Sequence, residues 1–85
     1  TFDRSFSKSL DKINNKSILG KIEKIILQCE EAKSLTDIPN LKKMQGFKAF
    51  YRIKTGDYRI GIEVDNNTLN FIIIAHRKEI YRLFP

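Results

Sequence analysis

The sequence has one cysteine, one histidine and no tryptophan, and each shortage closes off a class of chemistry. With Cys29 alone no internal disulfide can form, which points to a reducing, cytoplasmic setting. Cys29 falls in an apolar stripe of helical spacing and reads as a small core side chain rather than a reactive thiol. His76 is the single imidazole and no carboxylates cluster at ligand spacing, so no metal site is expected. There is no glycine-rich phosphate loop, no dinucleotide fingerprint and no Ser/His/Asp set, and no small-molecule cofactor is expected either. No apolar run approaches the ~18 residues of a membrane span, so a membrane is not among the expected partners. The chain opens Thr1-Phe2-Asp3, without a charged and then apolar signal segment, and the missing initiator Met implies a trimmed start.

Acidic residues are also short. Ten Asp and Glu stand against sixteen Lys and Arg, giving a net charge of +6. Such a field on a small body favours nucleic acid, or an acidic protein resembling it. The 85 residues suffice for one domain, 1–85, with no room for a second core. A hydrophobic content of 41% is enough to fold and argues against disorder.

The chain divides near Pro39-Asn40, with apolar residues at helical spacing before it and in alternation after it. Phe2-Asp3-Arg4 reads as the stump of a strand, with Ser5 or Ser7 as the following N-cap. Phe6, Leu10 and Ile13 then mark one face of a short helix, and Asn14-Asn15 interrupts it. A second helix is predicted over roughly 17–32, with Ile18, Ile22, Ile25, Ile26 and Cys29 on one stripe. Gly20 lies within it, and close packing on the first helix would explain its presence. Residues 34–46 form a connector whose Lys42-Lys43 pair reads as a solvated corner or a phosphate contact.

Three strands are predicted, over 47–54, 58–65 and 68–76, joined by turns at Thr55-Gly56-Asp57 and Asp65-Asn66-Asn67. The third is rich in Ile and Phe and reads as a central strand covered on both faces. The result is an α+β domain. An N-terminal αα-hairpin packs on an antiparallel sheet of three to four strands, any fourth coming from the N-terminus, and a short C-terminal helix or extension follows. The hairpin should cover the face carrying Tyr51, Ile53, Ile60 and Ile62. Alternation sends Lys48, Arg52, Lys54 and Arg59 to the opposite, open face. Like charges on neighbouring strands repel, which is unfavourable unless an anion is to bind there. His76-Arg77 lies where the last strand ends, and Tyr81 follows one helical turn later.

The run Phe50-Tyr51-Arg52-Ile53-Lys54-Thr55-Gly56-Asp57-Tyr58-Arg59-Ile60, followed by Ala75-His76-Arg77-Lys78-Glu79-Ile80-Tyr81-Arg82, resembles the RelE/ParE toxin superfamily. The resemblance spans essentially the whole chain. It implies the toxin of a type II toxin–antitoxin system. RelE-type members cleave mRNA on the ribosome without a metal, whereas ParE-type members share the fold and poison DNA gyrase. Under the first reading the resemblance makes Lys54 a base or charge stabiliser at the 2′-hydroxyl and scissile phosphate. It makes Arg59 a phosphate holder, Arg77 a transition-state stabiliser and Tyr81 the tyrosine that stacks on or orients the nucleotide. Arg52, His76 and Lys48 are then substrate-binding residues.

Two positions depart from the family pattern. Arg52 stands where some relatives have lysine, and a guanidinium cannot serve as a base at neutral pH. The Glu–His pair of other branches is absent, which leaves His76 either as a catalytic imidazole or as a strand-end phosphate contact. The expected activity is that of a ribosome-dependent, metal-independent mRNA endoribonuclease leaving 2′,3′-cyclic phosphate or 3′-phosphate ends. Its expected partners are a cognate antitoxin, the ribosome and mRNA. The alternatives are a ParE-like gyrase poison and a non-catalytic RNA-binding module.

Overall fold

Helix α1 (Arg4–Asp11) starts at Asp3, whose carboxylate accepts the Ser5 backbone N–H at 3.1 Å and the Ser5 hydroxyl at 2.7 Å. The hydroxyl bond first, and the backbone bond second, hold this carboxyl below its usual value. The cap is therefore neither Ser5 nor Ser7. A carboxylate is the stronger acceptor for the free N–H groups of a first turn, and Ser5 becomes its partner. Helix α2 (Lys16–Glu31) begins in the same way at Asn15, which accepts the N–H groups of Ser17 and Ile18. It buries Ile22 and Cys29, and burial, followed by the charge of Glu30, pushes the Cys29 thiol up. Gly20 does not mediate helix packing: a Cβ added there would meet nothing within 4 Å.

The computed structural model describes residues 1–84; Pro85, at the end of the expected C-terminal extension, lies outside the described residues. The sheet has four antiparallel strands in the order β1 (Leu41–Lys43), β2 (Phe50–Thr55), β3 (Tyr58–Asp65) and β4 (Thr68–His76). The fourth strand thus comes from the connector and not from the N-terminus. Residues Thr1 to Asp3 make only an isolated parallel bridge, Phe2 to Phe71, because the chain turns at once into the Asp3 cap. Strand β4 is not central; it lies at one end of the sheet order, covered on one face by α1 and on the other by the C-terminal tail. This double cover explains its apolar run.

Strand β2 begins three residues later than alternation suggests. Gly46 takes a positive φ of 82°, and the loop 44–49 carries Lys48 out of the sheet. Both hairpin turns fall where expected. Gly56 occupies the first central position of one with φ 58°, and Asn66 and Asn67 both take positive φ in the other.

The register decides what each face carries. Leu41, Ile53, Ile60 and Ile74 are successive cross-strand partners on the helix-covered face. Ile53, Ile60 and Ile62 are completely buried there with Phe6, Ile22 and Phe71. Helix α1 is fixed to β4 by the Phe6 ring, 5.5 Å from that of Phe71, and by Ser9, whose hydroxyl accepts the N–H of Ile74.

The opposite face is not open as expected. The tail folds back as α3 (Ile80–Leu83) and buries Ile80 and Phe84 against Ala75, Phe50, Met44, Ile72 and Ile73. An apolar half and a cationic half therefore share this face.

Two substitutions test this account in urea denaturation. Gly20→Ala should raise stability by about 0.5–1 kcal/mol, since the site is roomy, exposed and helical. Ile53→Ala should cost about 2–5 kcal/mol, as it opens a cavity under the centre of the sheet.

Candidate functional site

Two rows of cross-strand partners build the cationic half. Lys42, Arg52 and Gly61 form one row across β1, β2 and β3. Lys54, Arg59 and Ala75 form the next, across β2, β3 and β4. Lys54 and Arg59 are thus direct neighbours of like charge, an arrangement that costs stability unless an anion lies between or above them. The four cations, with Asn40, Leu41 and Tyr81, line a cavity of about 410 Å³.

Each side chain is held differently. Arg59 is half-buried, and its Nη1 donates to the carbonyls of Gly56 and Tyr58, both at 2.9 Å. The guanidinium is thereby tied to the hairpin turn. Arg52 is half-buried under Tyr81, its guanidinium carbon 4.9 Å from the ring centroid. Its Nη1 is buried and has no hydrogen-bond partner among the described residues. A buried donor without an acceptor is costly, and a ligand oxygen or a water would relieve it. Tyr81 itself is 70% exposed. The guanidinium of Arg52 beside it holds its phenol below the ordinary value of 10.0, and the charge of Arg59 adds to the effect.

Of the residues singled out in the sequence, the cavity brings together Arg52, Lys54, Arg59 and Tyr81. Arg77 lies at the turn end of the sheet, where its N–H donates to the Asp57 carbonyl at 2.7 Å. Its Nε stands 3.8 Å from the Asp57 carboxylate; both side chains are exposed, and such a pair is weak. His76 is on the other face, paired across the strands with Tyr58, the ring centroids 5.9 Å apart. Its Nδ1 accepts the N–H of Lys78. Lys48 is exposed in the loop before β2 and does not line the cavity.

Lys42 is the residue that sequence reasoning undervalued. Its membership of a strand is masked by the brevity of β1, although Asn40, with φ 61°, marks the turn that precedes it.

A second hollow, about 460 Å³, lies between the end of α2 and the β3–β4 hairpin. Its walls include Phe2, Cys29, Ile38, Val64 and Phe71, with one lysine and one glutamate. It has no concentration of like charge, which sets it apart from the cationic cavity. Among the described residues no three His, Cys, Asp or Glu side chains group as metal ligands, and no helix is long and apolar enough to cross a membrane.

The Arg52–Tyr81 contact is open to direct measurement. With ¹³C-labelled tyrosine, the Tyr81 phenol should titrate below its ordinary value of 10.0, and Arg52→Gln should return it toward that value. An unchanged midpoint in the variant would show that Arg52 does not act on the phenol.

Comparison with known proteins bears on the family and the fold. Residues 1–81 match the family described as the ParE toxin of the type II toxin–antitoxin system parDE. The chain is 41% identical to toxin RelE3 of Methanocaldococcus jannaschii over 85 residues, 99% of this chain and 96% of that protein. Its fold matches a chain in the crystal structure of the RelB–RelE antitoxin–toxin complex from Methanococcus jannaschii, with a TM-score of 0.84 and 39% identity. That match covers 99% of this chain and 98% of the other. A conserved Helicobacter pylori protein shares the fold at a TM-score of 0.62 and 18% identity, over 94% of each chain. The chain belongs to the RelE/ParE superfamily of type II toxin–antitoxin toxins.

Proposed function

We propose that this toxin is a ribosome-dependent, metal-independent mRNA endoribonuclease acting in the cytoplasm. The observation that carries the reading is the direct opposition of Lys54 and Arg59 in a cavity shared with Arg52, Lys42 and Tyr81. A protein that only occupies a partner's surface has no need to hold like charges together around a hollow of nucleotide size.

In this mechanism the 2′-oxygen of a ribose attacks the adjacent phosphorus, and the bond to the 5′-oxygen breaks. The products are a 2′,3′-cyclic phosphate, or a 3′-phosphate after water opens it, and a 5′-hydroxyl. Lys54 stands at the 2′-hydroxyl and phosphate as base or charge stabiliser. Arg59, fixed over the turn by its bonds to Gly56 and Tyr58, offsets the charge growing on the non-bridging oxygens. Arg52 stays protonated and therefore binds without accepting a proton. Tyr81 stacks on the nucleotide, and a phenol held below its ordinary value is a readier proton donor to the leaving oxygen. Lys42 adds a phosphate contact from β1. Arg77 reaches phosphate by giving up its weak pair with Asp57. His76 faces the helices and has no part in these steps, whereas Lys48 in its loop is available to RNA beyond the cavity.

The proposed partner is an antitoxin, as in the RelB–RelE complex of the archaeal relative. An acidic or amphipathic chain would offset the +6 charge and cover the exposed Phe2, Leu27, Phe47 and Leu83. One observation favours a second reading: the matching family description is that of ParE toxins, which makes a gyrase poison the alternative.

The discriminating experiment adds the purified chain to cell-free bacterial translation with end-labelled mRNA, beside tubes lacking ribosomes. Cleavage within codons is expected only where ribosomes are present. Lys54→Met, Arg77→Ala and Tyr81→Phe should each lower its rate, by about 10²–10⁴-fold where proton transfer is lost. Unchanged cleavage by Lys54→Met would remove Lys54 from the mechanism. Intact mRNA in every tube, with inhibited supercoiling in a gyrase assay, would establish the second reading.

A further inference from the structure

Tyr81 owes its place to very little of its own. It is 70% exposed, its one aromatic–cation contact is with Arg52, and it sits on a helix of four residues. A helix so short has no stability of its own and must be held by packing. The packing comes from its neighbours. Ile80 and Phe84 flank Tyr81 and are 1% and 2% exposed. The Phe84 N–H closes the turn on the Ile80 carbonyl at 2.8 Å.

The seat of Phe84 is the bare backbone of Gly61. A Cβ at that position would stand 2.7 Å from both Cγ and Cδ1 of the Phe84 ring and 2.9 Å from Cδ2, far inside contact distance. Gly61 lies in the interior of β3, where glycine normally weakens a strand, and its φ is not in the left-handed region. The ring above it, and not the backbone conformation, accounts for the missing side chain. Phe50 supports the ring from β2, edge-on at 5.3 Å. Gly61 is also the cross-strand partner of Arg52. The two positions are thus about 5 Å apart in one row, with Phe84 over one and Tyr81 over the other.

We propose that Phe84, seated on Gly61, is the positioning residue that holds Tyr81 over Arg52, so that one aromatic contact on the apolar half of the face sets the geometry of the cationic half. The inference rests on the reading of Tyr81 as a nucleotide-contacting residue, but the seat is measurable without RNA.

The test uses the full chain with ¹³C-labelled tyrosine, in Gly61→Ala, Phe84→Ala and Phe84→Leu forms. Ile22→Val serves as a control that loosens the main core away from the tail. Gly61→Ala and Phe84→Ala should each move the Tyr81 phenol midpoint to that of Arg52→Gln. Phe84→Leu, which keeps an apolar anchor, should restore most of the original value, and Ile22→Val should leave it unchanged. In ribosome-dependent cleavage the two disruptive variants should fall to the level of Tyr81→Phe, with no further loss when combined with it. A Tyr81 midpoint unmoved by both Gly61→Ala and Phe84→Ala would overturn the proposal, as would losses that add to that of Tyr81→Phe. If no form cleaves RNA, that result counts against the nuclease reading alone, and the titration still decides whether the seat holds Tyr81.

Discussion

The structure depends on the register in which Ile53 meets Ile60 and Ile60 meets Ile74. All three are buried on the helix-covered face, and each contributes about 1.5–3 kcal/mol by leaving water. Because side chains alternate, this burial forces Lys54 and Arg59 to the other face as direct partners. Opposing like charges across a pair of strands costs only about 0.2–1 kcal/mol. Burial therefore outweighs repulsion several-fold, and the cations cannot separate by slipping one residue without turning the isoleucines into solvent. The register set by the core thus holds the charges of the site together against their repulsion.

The second face solves a different problem. A sheet covered on one side only would leave Ile72, Ile73 and Phe50 in water, and the tail prevents this by laying Ile80 and Phe84 over them. The tail covers these two rows at their Gly61 and Ala75 ends and leaves Lys42, Lys54 and Arg59 lining the cavity, so cover and cavity share a boundary. Tyr81 stands on that boundary, anchored with the apolar half and directed over the cationic one.

Much of this was legible in the sequence. Period-two alternation placed Arg52, Lys54 and Arg59 together, and Gly56 and Asn66-Asn67 marked both hairpins, because turn residues and burial patterns are local signals. The misreadings arose where a tertiary contact decides. Strand β1 is three residues long, too short to display a period, so Lys42 could not be assigned to the site. Lys48 followed the alternation on paper, but Gly46 turns the chain before it and the strand begins only at Phe50. His76 adjoins Arg77 in sequence yet faces the helices, as the partner of Tyr58 requires. The closure of the apolar half by Phe84 was invisible, since the tail's few apolar residues do not reveal which face they cover.

The Gly61–Phe84 contact also gives the cavity an order of assembly. Lys42, Arg52, Lys54 and Arg59 lie within eighteen consecutive positions and are brought together by short hairpins, which form early and locally. Tyr81 and its anchors follow every strand in chain order. Tyr81 comes from the last element in chain order, so a chain that lacks that element carries the four cations without the aromatic ring above them. The nascent toxin is therefore incomplete at its cavity until the last element of the fold has been made.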